Sequence, residues 1–71
     1  MPEKNVFRKE GLLIESLPGA TFRVRCDDGA LVLAHLSGRM RVNRIRLIPG
    51  DRVILELPSE DATRGRVVYR K

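Results

Sequence analysis

The chain has very few of the residues on which covalent and metal-based chemistry depend. Among its 71 residues there is one cysteine, Cys26, and one histidine, His35. A single cysteine excludes an internal disulfide and a thiolate-rich zinc site, and it suits a reducing compartment. Zinc in proteins is held by clusters of nitrogen and sulfur ligands, which this composition does not supply. We therefore expect no metal and no cofactor.

Long hydrophobic runs are also missing. The longest uninterrupted apolar stretch, residues 30–34, is far shorter than a membrane span of about 20 residues. It is also shorter than the apolar core of a secretory signal. Residues 1–5 are polar, and we expect them to form a flexible tail. The sequence predicts a cytoplasmic protein with no membrane as its partner.

Residues able to act as a nucleophile or as an acid–base pair are isolated from one another. Ser37 lies two positions after His35, but no third group orients the two, and adjacent strand-end residues seldom meet productively. Paired carboxylates occur at 27–28 and 60–61, where turn signals put them in water rather than in a cleft. We predict that the protein is not an enzyme.

Positive charge is what the chain has in excess, and it is concentrated in two segments. Basic residues number 14 and acidic residues 9, a net charge of +5. Residues 39–46, here called the central cluster, hold four arginines and no acid; residues 64–71, the C-terminal cluster, hold three arginines, one lysine and no acid. The rest of the chain has six basic and nine acidic side chains. Positive charge in excess suits a polyanion or an anionic membrane surface, and its concentration in two segments indicates a directed basic face. Because no membrane partner is expected, a polyanion is the candidate.

RNA is the partner that the clusters favour. Eleven of the 14 basic residues are arginine, whose planar fork matches phosphate oxygens and stacks on bases. The candidate RNA-contacting residues are Arg39, Arg41, Arg44, Arg46, Arg64, Arg66, Arg70 and Lys71, with His35 beside the central cluster as a further candidate. Barrels that grip single strands use several exposed aromatic rings, whereas this chain has three aromatic residues. Folded RNA, recognised through phosphate and shape, is therefore the predicted ligand.

Short runs of alternating apolar and polar residues, separated by turn signals, are typical of a sandwich or barrel. They predict five strands, at residues 11–17, 21–26, 30–36, 52–57 and 66–70. In the second strand Phe22, Val24 and Cys26 share one face, so Cys26 is expected to be a small buried hydrophobe.

The segment between the third and fourth predicted strands is too polar for core and too long for a tight turn. Ser37 can begin a short helix there as its N-cap. In the last strand, Val67 and Tyr69 are expected on one face and the arginines on the other. The prediction is an all-β, five-stranded Greek-key OB-fold barrel with a short helix between strands 3 and 4, as one S1-like domain over residues 1–71. An SH3-like barrel is the competing architecture.

Several motifs then make the prediction more specific. They are LPGA at 17–20 with FRV at 22–24, AHLSGRMR at 34–41, Asn43, Ile45 and Arg46, GD at 50–51 with Val53, Glu56 and Leu57, and TRGRVVYR at 63–70. In order, spacing and total length, these motifs closely resemble bacterial translation initiation factor one over essentially the whole chain.

The resemblance implies a barrel that docks in the decoding A site of the small ribosomal subunit and acts with the other two initiation factors. Family members occlude that site against elongator transfer RNA and perturb the nearby decoding adenines of ribosomal RNA. Carried over by position, the residues facing ribosomal RNA are Arg39, Met40, Arg41, Arg46, Arg64, Arg66 and Arg70. Pro18 and Gly19 are expected beside the decoding helix and a ribosomal protein.

The chain departs from the family pattern at four positions. Val42 stands where the family commonly has a basic residue, and Arg25 where an acid is more typical. Arg44 replaces an aromatic residue or histidine, and Glu60 replaces an aromatic residue.

Two other functions fit the same barrel. A general RNA-binding protein or RNA chaperone would bind unstructured oligonucleotides with similar affinity. A barrel that used its basic face on an acidic protein would form complexes that survive nuclease. In each case we expect the free protein to be a monomer.

Overall fold

The structure, a computed structural model, describes residues 6–43 and 45–71. The elements in that part of the chain are β1 (Phe7–Leu17), β2 (Thr21–Cys26), β3 (Leu31–Leu36), α1 (Gly38–Val42), β4 (Arg52–Leu57) and β5 (Arg64–Arg70). The expected tail at 1–5 and the candidate Arg44 lie outside the described residues. Within the described ranges, no helix is long and apolar enough to cross a membrane.

The strands close into a barrel in the order β1-β2-β3-β5-β4, with β4 paired back to β1. Neighbouring strands are antiparallel, except that β3 and β5 run parallel. The α1 helix follows the third strand in sequence. The predicted five-stranded barrel with a short helix between strands 3 and 4 is confirmed.

β1 is the longest strand and pairs with two neighbouring strands. Residues 7–12 pair with β4, and residues 11–17 pair with β2. Gly11 lies where the two pairings overlap, and a Cβ atom there would come within 2.6 Å of the carbonyl oxygen of Arg25. The strand begins four residues earlier than predicted. Residues 8–10 are all charged, so they lack the apolar alternation by which a strand is recognised and are held instead by pairing with β4.

Aliphatic side chains from every strand fill the barrel interior. The side chains with no exposed surface are Leu13, Val24, Val53, Leu55 and Val67. β2 and β4 have the predicted bounds and alternation, with a buried residue at every second position. Cys26 is 2% exposed, which confirms its expected role as a buried hydrophobe. Burial raises the pKa of its thiol.

One extra residue in β5 changes which side chains face outward. Leu55 of β4 pairs with Val67. Its neighbour Ile54 pairs with Tyr69, which leaves Val68 without a partner in the register. Such a bulge reverses the alternation beyond it. The prediction that Val67 and Tyr69 share a face was therefore wrong, because Val67 is fully buried whereas Tyr69 is 58% exposed.

Ser37 is the N-cap of α1, as predicted. Its Oγ accepts a hydrogen bond from the Met40 N–H at 3.2 Å. Its own N–H donates to the carbonyl of Val67 at 3.0 Å, which ties the start of the helix to β5. On the helix itself, Met40 packs into the core while Arg39 and Arg41 are exposed.

Candidate nucleic-acid interface

Parallel pairing of β3 and β5 brings the two basic clusters together. α1, which carries the first part of the central cluster, begins two residues after β3 ends. β5, which carries the C-terminal cluster, runs beside β3 in the same direction, with Leu36 opposite Val67. Because neighbouring strands lie only about 5 Å apart, the end of β3, from which α1 continues, lies beside the middle of β5.

Arg39 and Arg66 line one groove of about 510 Å³, here called the basic groove. The walls of the groove come from β1, β4, β5 and the start of α1, and they include Arg8, Glu56 and Tyr69. One arginine from each cluster therefore contributes to a single concave surface.

A direct contact between the clusters lies at the end of β5. Arg70 is opposite Val53 in the register, and its Nη1 donates to the carbonyl oxygen of Arg46 at 3.2 Å. The clusters are thus brought together at two points along β5, by the shared groove at Arg66 and by this hydrogen bond at Arg70.

A second groove, of about 480 Å³, follows the seam between β3 and β5. Its polar lining includes Thr21, His35, Arg64 and Arg66, and its apolar lining includes Leu33, Ala34 and Leu57. Thr21 pairs with His35 across β2 and β3, and the exposed Pro18–Gly19 turn is separated from Thr21 by one residue. His35, Arg64 and the turn therefore occupy neighbouring parts of the surface.

Ion pairs neutralise most of the charge outside the clusters. The pairs are Arg8–Glu56, Lys9–Asp28, Arg23–Glu15, Arg52–Glu10 and Arg52–Asp27. Among the arginines that the structure describes outside the clusters, Arg25 alone has no such pair. By contrast, the cluster residues without an acidic partner in the described ranges are Arg39, Arg41, Arg46, Arg64 and Arg70. Their uncompensated charge makes the surface attractive to anions.

Lys71 belongs to a separate ion-pair network. Arg52 donates to Glu10 at 2.9 Å and to Asp27 at 2.7 Å. The hydrogen bond from Arg52 lowers the pKa of Glu10, and the bond to Asp27 raises the pKa of Arg52. The Nζ of Lys71 lies 3.4 Å from the other Glu10 oxygen. This candidate is thus held by the network and lines neither groove.

The positions of two further residues differ from what the sequence predicted. Met40 is 4% exposed and part of the core, so its side chain anchors α1 instead of facing a partner. Arg8 lines the basic groove, although it was not among the candidates. It lies outside both clusters, beside Lys9 and Glu10, and its position follows from the pairing of β1 with β4.

A closed five-stranded barrel with one parallel pair and a helix after the third strand is an OB fold. Small OB-fold proteins bind oligonucleotides or oligosaccharides, and a grooved arginine-rich surface suits the first of these ligands. The topology therefore defines a small OB-fold protein with an arginine-rich surface rather than an SH3-like barrel.

Comparisons with known proteins make this class specific. The chain is similar to translation initiation factor one from the Wolbachia endosymbiont strain TRS of Brugia malayi, with 39% identity and a TM-score of 0.77 over 96% of this chain and 80% of that one. It is also similar to YjeQ from Thermotoga maritima, with 24% identity and a TM-score of 0.72, over 92% of this chain but 23% of YjeQ, a likeness of fold alone. The family described as translation initiation factor 1A / IF-1 matches residues 1–71. The chain belongs to this family of translation initiation factors, as its motifs predicted.

Proposed function

We propose that the protein binds the decoding A site of the small ribosomal subunit through ribosomal RNA and assists assembly of the initiation complex. Family membership supports a role in initiation. The observation that carries the RNA-binding part of the proposal is the basic groove, in which Arg39 and Arg66 from separate clusters line one surface.

The chemistry of that surface fits a folded RNA. Arginine forks pair with phosphate oxygens through parallel N–H donors, and their spread over α1 and β5 suits the backbone of a shaped RNA more than a single extended strand. The residues proposed to face RNA are Arg39, Arg41, Arg44, Arg46, Arg64, Arg66, Arg70, His35, Pro18 and Gly19. In this proposal Met40 holds α1 in place, and Lys71 acts through its contact with Glu10.

The factor acts with the other two initiation factors on the ribosome, and the Pro18–Gly19 turn lies beside the decoding helix and a ribosomal protein. It is a cytoplasmic monomer when free and a single domain, and it catalyses no reaction.

Charge reversal tests the proposal. The double variant Arg39→Glu, Arg41→Glu removes two charge-assisted contacts, worth about 1.5–3 kcal/mol each. Binding to small subunits should therefore weaken by about 10²- to 10⁴-fold. Arg23→Glu, Arg25→Glu makes the same change of net charge on β2 and should bind nearly as the unmodified protein does. Equal losses in the two double variants would refute a directed surface.

Competition and footprinting test the location. Binding should be saturable, blocked by ligands of the A site, and accompanied by altered chemical reactivity of ribosomal RNA in the decoding region. Unchanged reactivity there, together with tight subunit binding, would place the protein elsewhere on the ribosome.

A general RNA-binding or chaperone function is the second candidate, and the exposure of Tyr69 favours it. An exposed ring on a basic surface can stack a base of a single strand. This candidate predicts similar affinity for small subunits and for unstructured oligonucleotides, and a loss of oligonucleotide binding in Tyr69→Ala. If the partner were instead an acidic protein, complexes captured from cells would survive nuclease treatment.

A further inference from the structure

Three charged residues form a row across the outer face of the barrel. Arg8 of β1 is directly opposite Glu56 of β4, and Glu56 is directly opposite Arg66 of β5. Side chains opposite one another on neighbouring strands point to the same side of the sheet. The register therefore sets one acid between two arginines at the wall of the basic groove.

Both arginines are held by the same carboxylate. Arg8 approaches Oε2 of Glu56 with its Nη2 at 2.9 Å and its Nε at 3.2 Å. Arg66 approaches the other oxygen, Oε1, with its Nη2 at 3.5 Å. The Glu56 side chain is 17% exposed, whereas those of Arg8 and Arg66 are 69% and 54% exposed. The acid is thus the deep member of the row and the guanidinium groups form its outer surface.

This arrangement leaves most of the arginine donors available. A guanidinium has five N–H donors in a fixed fork, and Glu56 engages two nitrogens of Arg8 and one of Arg66. The three residues together carry a net charge of +1, to which Arg39 in the same groove adds another. A surface that combines fixed forks with excess positive charge fits a phosphodiester group.

We propose that Arg8 is a further RNA-contacting residue and that Glu56 is a positioning residue, which holds Arg8 and Arg66 side by side to bind one backbone phosphate. This inference rests on the proposed function, and it assigns a ligand role to a β1 residue outside both basic clusters. It also explains why an acidic residue, Glu56, lies in the basic groove. Without Glu56 the two long side chains would spread into solvent and would have to be ordered when RNA binds.

Arg8→Ala tests the first part through small-subunit binding measured over a range of salt concentrations. Loss of one phosphate contact should weaken binding by about tenfold. The slope of log affinity against log salt should fall by about 0.7–0.9. Arg23→Ala is the matched control, because Arg23 is also a partly exposed arginine paired with a single acid, and it should keep both values. An unchanged affinity and slope in Arg8→Ala would overturn the inference.

Glu56→Gln separates positioning from simple neutralisation. If the acid only cancelled charge, its removal would tighten binding to small subunits and to unstructured oligonucleotides in equal proportion. Positioning instead predicts that subunit affinity falls while oligonucleotide affinity does not, so that the ratio of the two decreases. Adding Arg8→Ala to Glu56→Gln should then cost little more, since the two residues act as a unit. A constant ratio, or strictly additive losses, would overturn the positioning role.

Arg39→Ala in the same assay separates a failure of this inference from a failure of the proposed function. A loss in Arg39→Ala with none in Arg8→Ala would remove this inference and leave the proposed function standing. No loss in either variant would refute both. Arg8 is exposed, so its substitution should leave the fold intact, and thermal unfolding of each variant checks this.

Discussion

Gly65 provides the sharpest test of how β5 is seated against its neighbours. It lies between Arg64 and Arg66 and is opposite Ala34 in the parallel pairing with β3. A Cβ atom on Gly65 would lie 2.6 Å from the carbonyl oxygen of Glu56 and 3.1 Å from a side-chain carbon of Leu57. The nearer atom belongs to the backbone and cannot rotate away, so Gly65→Ala must separate β5 from β4.

The size of the effect follows from the cost of overpacking. Inserting atoms into a well-packed site typically costs about 1–3 kcal/mol, and in a domain of this size each kcal/mol lowers the melting temperature by about 4–8 °C. We therefore expect Gly65→Ala to melt roughly 4–24 °C below the unmodified protein, as measured by circular dichroism. The strand shift should also pull Arg66 away from Glu56 and weaken small-subunit binding.

Gly38→Ala is the matched control for this substitution. Nothing lies within 4 Å of a Cβ atom at Gly38, which begins α1. Alanine is a better helix former than glycine, so the melting temperature should stay the same or rise slightly. If Gly65→Ala melted no lower than Gly38→Ala, the close approach of β5 to β4 would be refuted, and with it the alignment of Arg66 with Glu56.

Three further predictions concern the core, the helix cap and the ion pairs. Val24→Asp puts a carboxyl group where no surface is exposed, and because a buried unpaired charge is costly we expect the circular dichroism spectrum of an unfolded chain; a native spectrum would contradict the register of β2. Ser37→Ala removes the acceptor of the Met40 N–H and should cost about 1 kcal/mol, seen as a melting temperature about 4–8 °C lower; no change would mean that the cap does not stabilise α1. Glu10→Gln changes how stability depends on pH. The hydrogen bond from Arg52 lowers the pKa of Glu10 in the folded protein, so the ionised carboxylate stabilises the fold at any pH above the pKa that Glu10 has in the unfolded chain. This stabilisation is lost as the pH falls through the lower pKa of the folded protein. The substitution should flatten the fall in melting temperature between about pH 6 and pH 3, and parallel curves would refute the linkage.

The strands that the sequence predicted best are those whose apolar residues alternate between clear turn signals. Residues 21–26 and 52–57 were predicted to the residue, because a Pro–Gly signal precedes each, an Asp–Gly or Pro–Ser signal follows, and the buried face has a period of two. The other strands were less exact, since β1 begins four residues before its prediction and β5 two residues before. Apart from Phe7, the residues by which these strands extend beyond their predictions are charged or are glycine, so strand pairing rather than hydrophobic pattern defines them.

The candidate surface could be predicted from the sequence only in part. Counting charges along the chain located both clusters, but their proximity depends on the parallel pairing of β3 with β5, which no local pattern encodes. The outward direction of Tyr69 depends on the bulge at Val68, and one extra residue in a strand leaves no mark in composition. Arg8 was missed for a related reason, because it lies outside both clusters and only the register sets it opposite Glu56 at the basic groove.

Strand register also explains why a net charge of +5 understates the basic surface. The pairings of β1 with β2 and β4 set Glu15 opposite Arg23 and Glu56 opposite Arg8, so several acids are used to neutralise bases outside the clusters. The arginines on α1 meet no acid in the described part of the chain, and their field extends into solvent. A chain of the same composition in which outward acidic and basic residues were exchanged would keep its isoelectric point. It would lose the separation between the ion-paired bases of the strands and the arginines of α1. Affinity for RNA should therefore depend on where a charge lies on the barrel more than on the net charge of the chain.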